Sequence, residues 1–317
     1  MRKISAVIPV IALTALALVG CAPAAGTANS FGCTPTSAPG PIADAVSVSG
    51  EFGVDLKIEA PSAMNVTAQE RDVLIAGDGP QIVSPNQVVT LSYALLRSTD
   101  GADGPAQPVG PVVVANLAQA VPTLDEQLLC AREGDRILAS LPASALDPAV
   151  AAQNGVGESE GYLIAIDVTK VFPDRPQGTD VFNSGWGLPS VVRAPDGRSG
   201  VIVPDGKAPA ATTVETLVRG DGAAVTADDA AILNVLGVGW NDKKQFRSSI
   251  DSGTPSVSSA GDLPKAVTDA ITGATVGSQL LVVIPAADAA SETADTMAPK
   301  DTALIYVIDV LGTLPTS

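Results

Sequence analysis

The chain has 317 residues and a formal net charge of −16, with 18 Lys and Arg against 34 Asp and Glu. So acidic a surface repels phosphate backbones and anionic headgroups, which argues against nucleic acid and anionic lipid as partners. No histidine occurs anywhere, which excludes Ser-His-Asp and Cys-His catalysis, His-ligated zinc and imidazole proton transfer.

At the N-terminus, Arg2 and Lys3 precede an apolar and small-residue run from Ile4 to Gly20 that contains no acid. This is the pattern of an export signal. The run is about 17 residues, at the short limit for a bilayer span, and it closes on Leu18-Val19-Gly20-Cys21 without a basic flank. That ending resembles the lipobox of bacterial lipoproteins. The resemblance implies cleavage after Gly20 and a diacylglycerol on Cys21, holding the chain to the extracytoplasmic face of the cytoplasmic membrane. At ~0.8 kcal/mol per buried methylene, two acyl chains anchor stably. An uncleaved anchor helix is the alternative. Residues 1–20 are thus the expected signal peptide, and 21–45, rich in Ala, Gly, Ser, Thr and Pro, the lipidated flexible tether. Export also places Cys33 and Cys130 in an oxidising compartment, where they either pair or remain independent thiols; a Cys33–Cys130 disulfide is expected.

Beyond the tether, two regions repeat one another at an offset of 142 to 143 residues. Val73 to Gly79 corresponds to Thr216 to Gly222, and Val88 to Tyr93 to Ala230 to Val235. Gly134 to Pro142 corresponds to Gly277 to Pro285, and Tyr162 to Val168 to Leu304 to Val310. Four blocks in one order imply two copies of one domain. We expect domains at 46–172 and 210–317, joined by an irregular, Pro- and Gly-rich connection over 173–209 in which Trp186, Leu188, Val191, Val192, Val201 and Val203 could lie against a domain surface. Each copy reads as Val-, Ile- and Leu-rich strands with one short helix, Leu124–Arg132 in the first and Leu263–Thr272 in the second. One helix against an antiparallel sheet is an α+β unit.

Candidate chemistry is sparse. There is no GxxxxGK[ST] loop and no GxGxxG after a strand, so no nucleotide or other cofactor is expected. Asp78 and Asp221 sit in Gly-Asp-Gly sequences that read as turns. Asp228, Asp229 and Asp288 read as solvated surface rather than a metal site.

The strings ETLVRGDG (215–222), DKKQFRSS (242–249), TVGSQLLVVIP (275–285) and ALIYVIDVLG (303–312) together resemble the FKBP-type peptidyl-prolyl isomerases. VLIAGDG, VVTLSYALL, EGDRILASLP and YLIAIDV resemble them more weakly in the first copy. The resemblance implies two tandem FKBP-like domains, each an antiparallel sheet wrapped on one short helix. It also implies catalysis that rotates an X-Pro bond across a barrier of ~18–20 kcal/mol by holding the prolyl ring against aromatic walls. Carried over residue by residue, the second pocket would comprise Phe246, Tyr306, Val267 and Leu263. Val267 stands where the family has Trp, Val235 where it has the first-strand Tyr, Arg247 where it has Asp, and Asp288 and Ala290 where it has the loop tyrosines. In the first copy Tyr93 is kept, but Leu124 replaces the Trp and Ile164 the final aromatic. The implied function is a membrane-anchored, degenerate isomerase or foldase for exported proline-containing polypeptides, acting as a monomer. Its competitors are a non-catalytic peptide-binding or chaperone module and a structural spacer.

Overall fold

The computed structural model describes residues 33–315 except 63, 100–105, 120, 195–197, 250, 253, 260–261 and 293–296. The expected leader and Cys21 lie outside the described residues. Among those described, no helix is long and apolar enough to cross a membrane.

In chain order, α1 (Ile42–Ala45) and a hairpin of β1 (Ser47–Ser49) and β2 (Lys57–Glu59) lead into β3 (Arg71–Ile75), β4 (Val88–Arg97) and β5 (Gln107–Val113). Two short helices follow, α2 (Val114–Leu117) and α3 (Leu124–Leu128), then β6 (Arg136–Pro142), α4 (Pro148–Gln153) and β7 (Gly161–Val171). Strands β3 to β7 make one sheet in the order β3-β6-β7-β4-β5. Next come β8 (Gly178–Asp180) and a hairpin of β9 (Ser190–Arg193) and β10 (Ser199–Ile202). The chain then forms β11 (Thr213–Gly220), β12 (Ala230–Gly239), β13 (Gln245–Ser248), β14 (Ser256–Ser258), α5 (Lys265–Ile271), β15 (Gln279–Ile284), α6 (Ala286–Glu292) and β16 (Leu304–Leu314). The second sheet runs β13-β12-β16-β15-β11-β8, with β14 also on β12. All pairings are antiparallel, and the fold is α+β. Both expected helices form, shortened to α3 and α5, but neither copy stops at the one helix expected: the first adds α1, α2 and α4 and the second α6.

The duplication extends to register. Val73 faces Ile137 and Ile75 faces Arg136, leaving Leu74 as an extra, bulged residue. In the second sheet Thr216 faces Leu280 and Val218 faces Gln279, leaving Leu217 bulged in the same place. The hairpins repeat too, since Ser47 pairs Glu59 and Ser190 pairs Ile202, each partner 143 residues on. The stretch 173–209, which reads as irregular in the sequence, therefore contains a strand of the second sheet and the counterpart of the β1–β2 hairpin.

Why both sheets need such hairpins follows from the runs that build them. Gln-Leu-Leu-Val-Val-Ile in β15 has no polar alternation, so both its faces must be covered. On one face Leu280, Val282, Ile284, Tyr306 and Ile308 pack against Val267 and Ile271 of α5. On the other, Leu281, Val283, Ile305 and Val307 pack against Leu188, Val191, Val201 and Val203 of the β9–β10 region. The first sheet repeats this, with Leu124 and Leu128 of α3 on one side and Ile42, Val46, Leu56 and Ile58 on the other. Of the residues expected to lie against a surface, Trp186 and Val192 do not; they are 92% and 46% exposed.

The Gly-Asp-Gly sequences are fixed by their first glycine rather than by the acid. A Cβ on Gly77 would lie 2.2 Å from the Glu133 carbonyl oxygen, and one on Gly220 2.1 Å from that of Val276. Both positions mark a close backbone crossing, while Asp78 and Asp221 are exposed.

Residues 35–317 form one compact unit. Val88, Val113 and Phe172 of the first copy meet Ile232 and Leu311 of the second in one buried cluster. The Phe172 ring lies so close to Gly312 that a Cβ there would be 2.4 Å from its Cδ1. Cys33 and Cys130 are both disulfide-bonded, as expected.

One buried position has diverged between the copies. In the first, Arg136 grips Asp167 through Nε to Oδ1 at 2.7 Å and Nη2 to Oδ2 at 2.8 Å. The Gly53 amide donates to the same carboxylate at 2.7 Å, and the Phe52 ring lies 5.8 Å from the guanidinium. In the second, Gln279 replaces the arginine and donates Nε2 to Asp309 Oδ1 at 2.7 Å. Burial pushes the Asp309 carboxyl up to about 6, against the opposing pull of the Gln279 amide, the Arg193 charge and Asn234.

Candidate functional site

The second copy brings its predicted site residues into one cluster. Val235, Leu263, Val267 and Tyr306 are buried there, and Phe246 packs at its margin, half-exposed. Each element contributes for a local reason. Strand β13 pairs Arg247 with Gly237 and Gln245 with Val238, so Phe246 is the extra residue of a β-bulge. A bulge turns a side chain out of the regular alternation, and here it lays the Phe246 ring onto Gly237. There a Cβ would come within 2.6 Å of the ring carbons Cε2 and Cζ. Gly237 is in turn the register partner of Tyr306 on β16. The Phe246 and Tyr306 rings meet edge to face, 5.6 Å apart with planes at 86°, the arrangement favoured by aromatic quadrupoles.

The floor is closed. Val267 and Tyr306 are fully buried and Leu263 is 3% exposed, so among the four residues only Phe246 offers a surface to a ligand. Helix α5 sets this floor by burying Ala266, Val267 and Ile271 against the sheet. Arg247 is half-buried on β13. Asp288 takes the Thr212 hydroxyl at 3.3 Å from within α6, and Ala290 is exposed on the same helix. The segment after Pro285, where the sequence resemblance set Asp288 and Ala290 in a loop, is thus helical.

In the first copy Leu124 and Ile164 are buried in the equivalent cluster, and Tyr93 packs half-buried at its edge. Tyr93 faces Gln107 of β5, and no aromatic stands opposite it in the register.

The acids do not converge. Asp229 is held below the ordinary carboxylate range by the Thr226 amide and the Thr313 hydroxyl. No group among the described residues could hold a metal ion.

Sequence reasoning missed Gly237, although a glycine inside the apolar strand Val-Leu-Gly-Val-Gly is the usual mark of a close approach. Gly237→Ala should push the Phe246 ring off Tyr306 at an overpacking cost of about 1–3 kcal/mol. Ring-proton shifts of Tyr306 would report it, and an unshifted spectrum would contradict this packing.

No family model matches the chain, and no curated protein matches it. Among solved structures it is similar to FkpA from Escherichia coli, at 19% identity and a TM-score of 0.30, over 40% of this chain and 53% of that one. It is similar to the three FKBP domains of wheat FKBP73, at 15% identity and a TM-score of 0.29, over 78% of this chain and 95% of that one. A multi-domain immunophilin from Arabidopsis thaliana matches at 16% identity and a TM-score of 0.30, over 37% of this chain and 50% of that one. The chain spans about half the length of the first and third of these.

Proposed function

We propose that the chain is an exported, lipid-anchored, FKBP-type foldase-like protein whose second copy binds proline-containing segments at Phe246, with a degenerate prolyl-isomerase site. The observation that carries this is the seating of Phe246: bulged out of β13, laid on Gly237 and braced edge to face by Tyr306. A ring fixed in this way presents an apolar face at little entropic cost, as a prolyl-binding wall requires. The family-like strings around it supply the expected reaction. Lipidation at Cys21 would place the protein on the extracytoplasmic face of the membrane, and the disulfide suits that oxidising side. Its clients would be exported polypeptides, met by a monomer that needs no cofactor.

Burial of Val267 and Tyr306 favours binding over turnover. Replacing an indole by Val removes perhaps ~80–100 Å² of apolar contact, about 2 kcal/mol at 25 cal/mol per Å². If that falls on the transition state, turnover drops up to ~30-fold. The loss of an Asp at Arg247 and of a Tyr at Ala290 removes polar groups that would orient the twisted amide.

The test is a proline-isomerisation assay on the purified protein. Turnover is expected to be weak or absent, to be abolished by Phe246→Ala, and to be unaffected by Tyr93→Ala in the first copy. Robust turnover untouched by Phe246→Ala would overturn the assignment.

A further inference from the structure

The two copies differ at one sheet edge, and the difference leaves a strand open. In the second sheet β8 covers the outer edge of β11, pairing Asp180 with Val218, Thr179 with Arg219 and Gly178 with Gly220. The Val181 amide continues the ladder onto the Leu217 carbonyl at 2.9 Å. Val218 is thereby reduced to 6% exposure. The equivalent edge in the first copy is that of β3, and among the described residues only β6 pairs with β3. Val73, Leu74 and Ile75 are 44%, 40% and 45% exposed there.

The segment that would cap β3 by analogy, Pro35 to Ser37, is engaged elsewhere. The Thr36 hydroxyl donates to the Glu126 carbonyl of α3 at 3.2 Å, and the Gln127 amide donates to Ser37 Oγ at 2.9 Å. The chain then crosses only the beginning of β3: the Arg71 amide donates to the Ala38 carbonyl at 3.0 Å, the Gly40 amide to Asp72 Oδ2 at 3.3 Å. Among the described residues no strand pairs with Val73 to Ala76 on this side, and all four are exposed. They carry no charge, Pro or inward-turned acid, the usual devices that blunt an edge.

We propose that the β3 edge over Val73–Ala76 is a docking edge for an extended, cationic polypeptide segment, which adds antiparallel in trans as β8 adds in cis to β11. Backbone pairing supplies the affinity and is indifferent to sequence, which suits a protein that meets many chains. Positive charge on the partner follows from the chain's net charge of −16 and from Asp72 and Asp78 flanking the open stretch. A second copy of this chain fits poorly: two such four-residue edges bury far less than the ~1,200 Å² of a stable interface.

The test uses fluorescence anisotropy of the purified full chain with two fluorescein-labelled, proline-free peptides, one alternating Lys and Val, the other Glu and Val. The Lys-Val peptide should bind at least tenfold more tightly than the Glu-Val peptide. Ala76→Pro, which removes an edge amide, and Ile75→Lys, which adds like charge without touching the backbone, should each weaken it at least tenfold at unchanged Tm. Should the proline variant fold poorly, the lysine variant decides alone. Unchanged affinity in Ile75→Lys, equal binding of both peptides, or a dimer that Ile75→Lys dissolves would overturn the proposal. Because the probes lack proline and Ala76 lies outside the Phe246 cluster, failure here leaves isomerisation untouched, and failure of the isomerase reading leaves this edge standing.

Discussion

Arg136→Ala should destabilise the protein by about 3–5 kcal/mol, the cost of leaving a fully buried carboxylate without its cation. Asp167 is 0% exposed, and its side chain accepts both guanidinium bonds as well as the Gly53 amide. Removing the arginine strips two charge-assisted bonds and also the Gly50 carbonyl's donor, Arg136 Nη1 at 3.2 Å. The turn between β1 and β2 is thereby loosened over the sheet. Arg136→Gln installs the side chain that the second copy uses at this position and should recover part of the loss. Urea denaturation of both variants measures it. An Arg136→Ala protein within 1 kcal/mol of the parent would mean that the pair is not the anchor of this hairpin.

Stability should also fall as pH rises from 4 to 8, by about 3 kcal/mol on account of Asp309 alone. Its carboxyl titrates near 6 in the folded chain against 3.8 for the ordinary group, so folding favours the protonated form. That contribution is complete below the unfolded value of 3.8 and is lost as pH passes through about 6. The shift of roughly two units corresponds to about 3 kcal/mol. Arg193 is the cation that opposes it, standing 143 residues on from Gly50 of the first copy. Asp309→Asn keeps an acceptor for the Gln279 amide and cannot ionise. It should flatten the profile and be the more stable protein at pH 8. Parallel profiles for parent and variant would place the pH dependence elsewhere.

These two positions show what the sequence could and could not reveal. The offset of the repeat and the α+β class follow from residue types and order, because alternation and spacing are local properties, whereas the pairing of Cys33 with Cys130 rests on the export signal and leaves two independent thiols as the alternative. Phe246 and Tyr306 could be singled out as neighbours because their strings occur in family-like order. Their geometry could not be read, since it depends on a bulge at Phe246 and on Gly237 in a different strand. The β9–β10 hairpin was masked by composition: Pro189, Pro195, Gly197 and Pro204 bracket it, and turn residues outnumber strand formers there. The unalternating runs of β15 and β16 demanded a second cover, and they did not say which segment would provide it. The closed floor was equally hidden, because Val267 reads as a lost aromatic wall in sequence, whereas in space it is a filled core site.

The placement of β8 and its hairpin redraws what counts as the inherited module. A gene fragment beginning at residue 206 would encode the family-like strings in full, yet its product would expose Leu236, Val238, Leu281, Val283, Ile305 and Val307 to water. Starting at 178 restores that cover and still leaves Ile232 and Leu311 without Phe172. A fragment carrying the second half alone therefore leaves part of the seam between the copies without its cover, so the folding unit is longer than the stretch that bears the repeat's second set of strings.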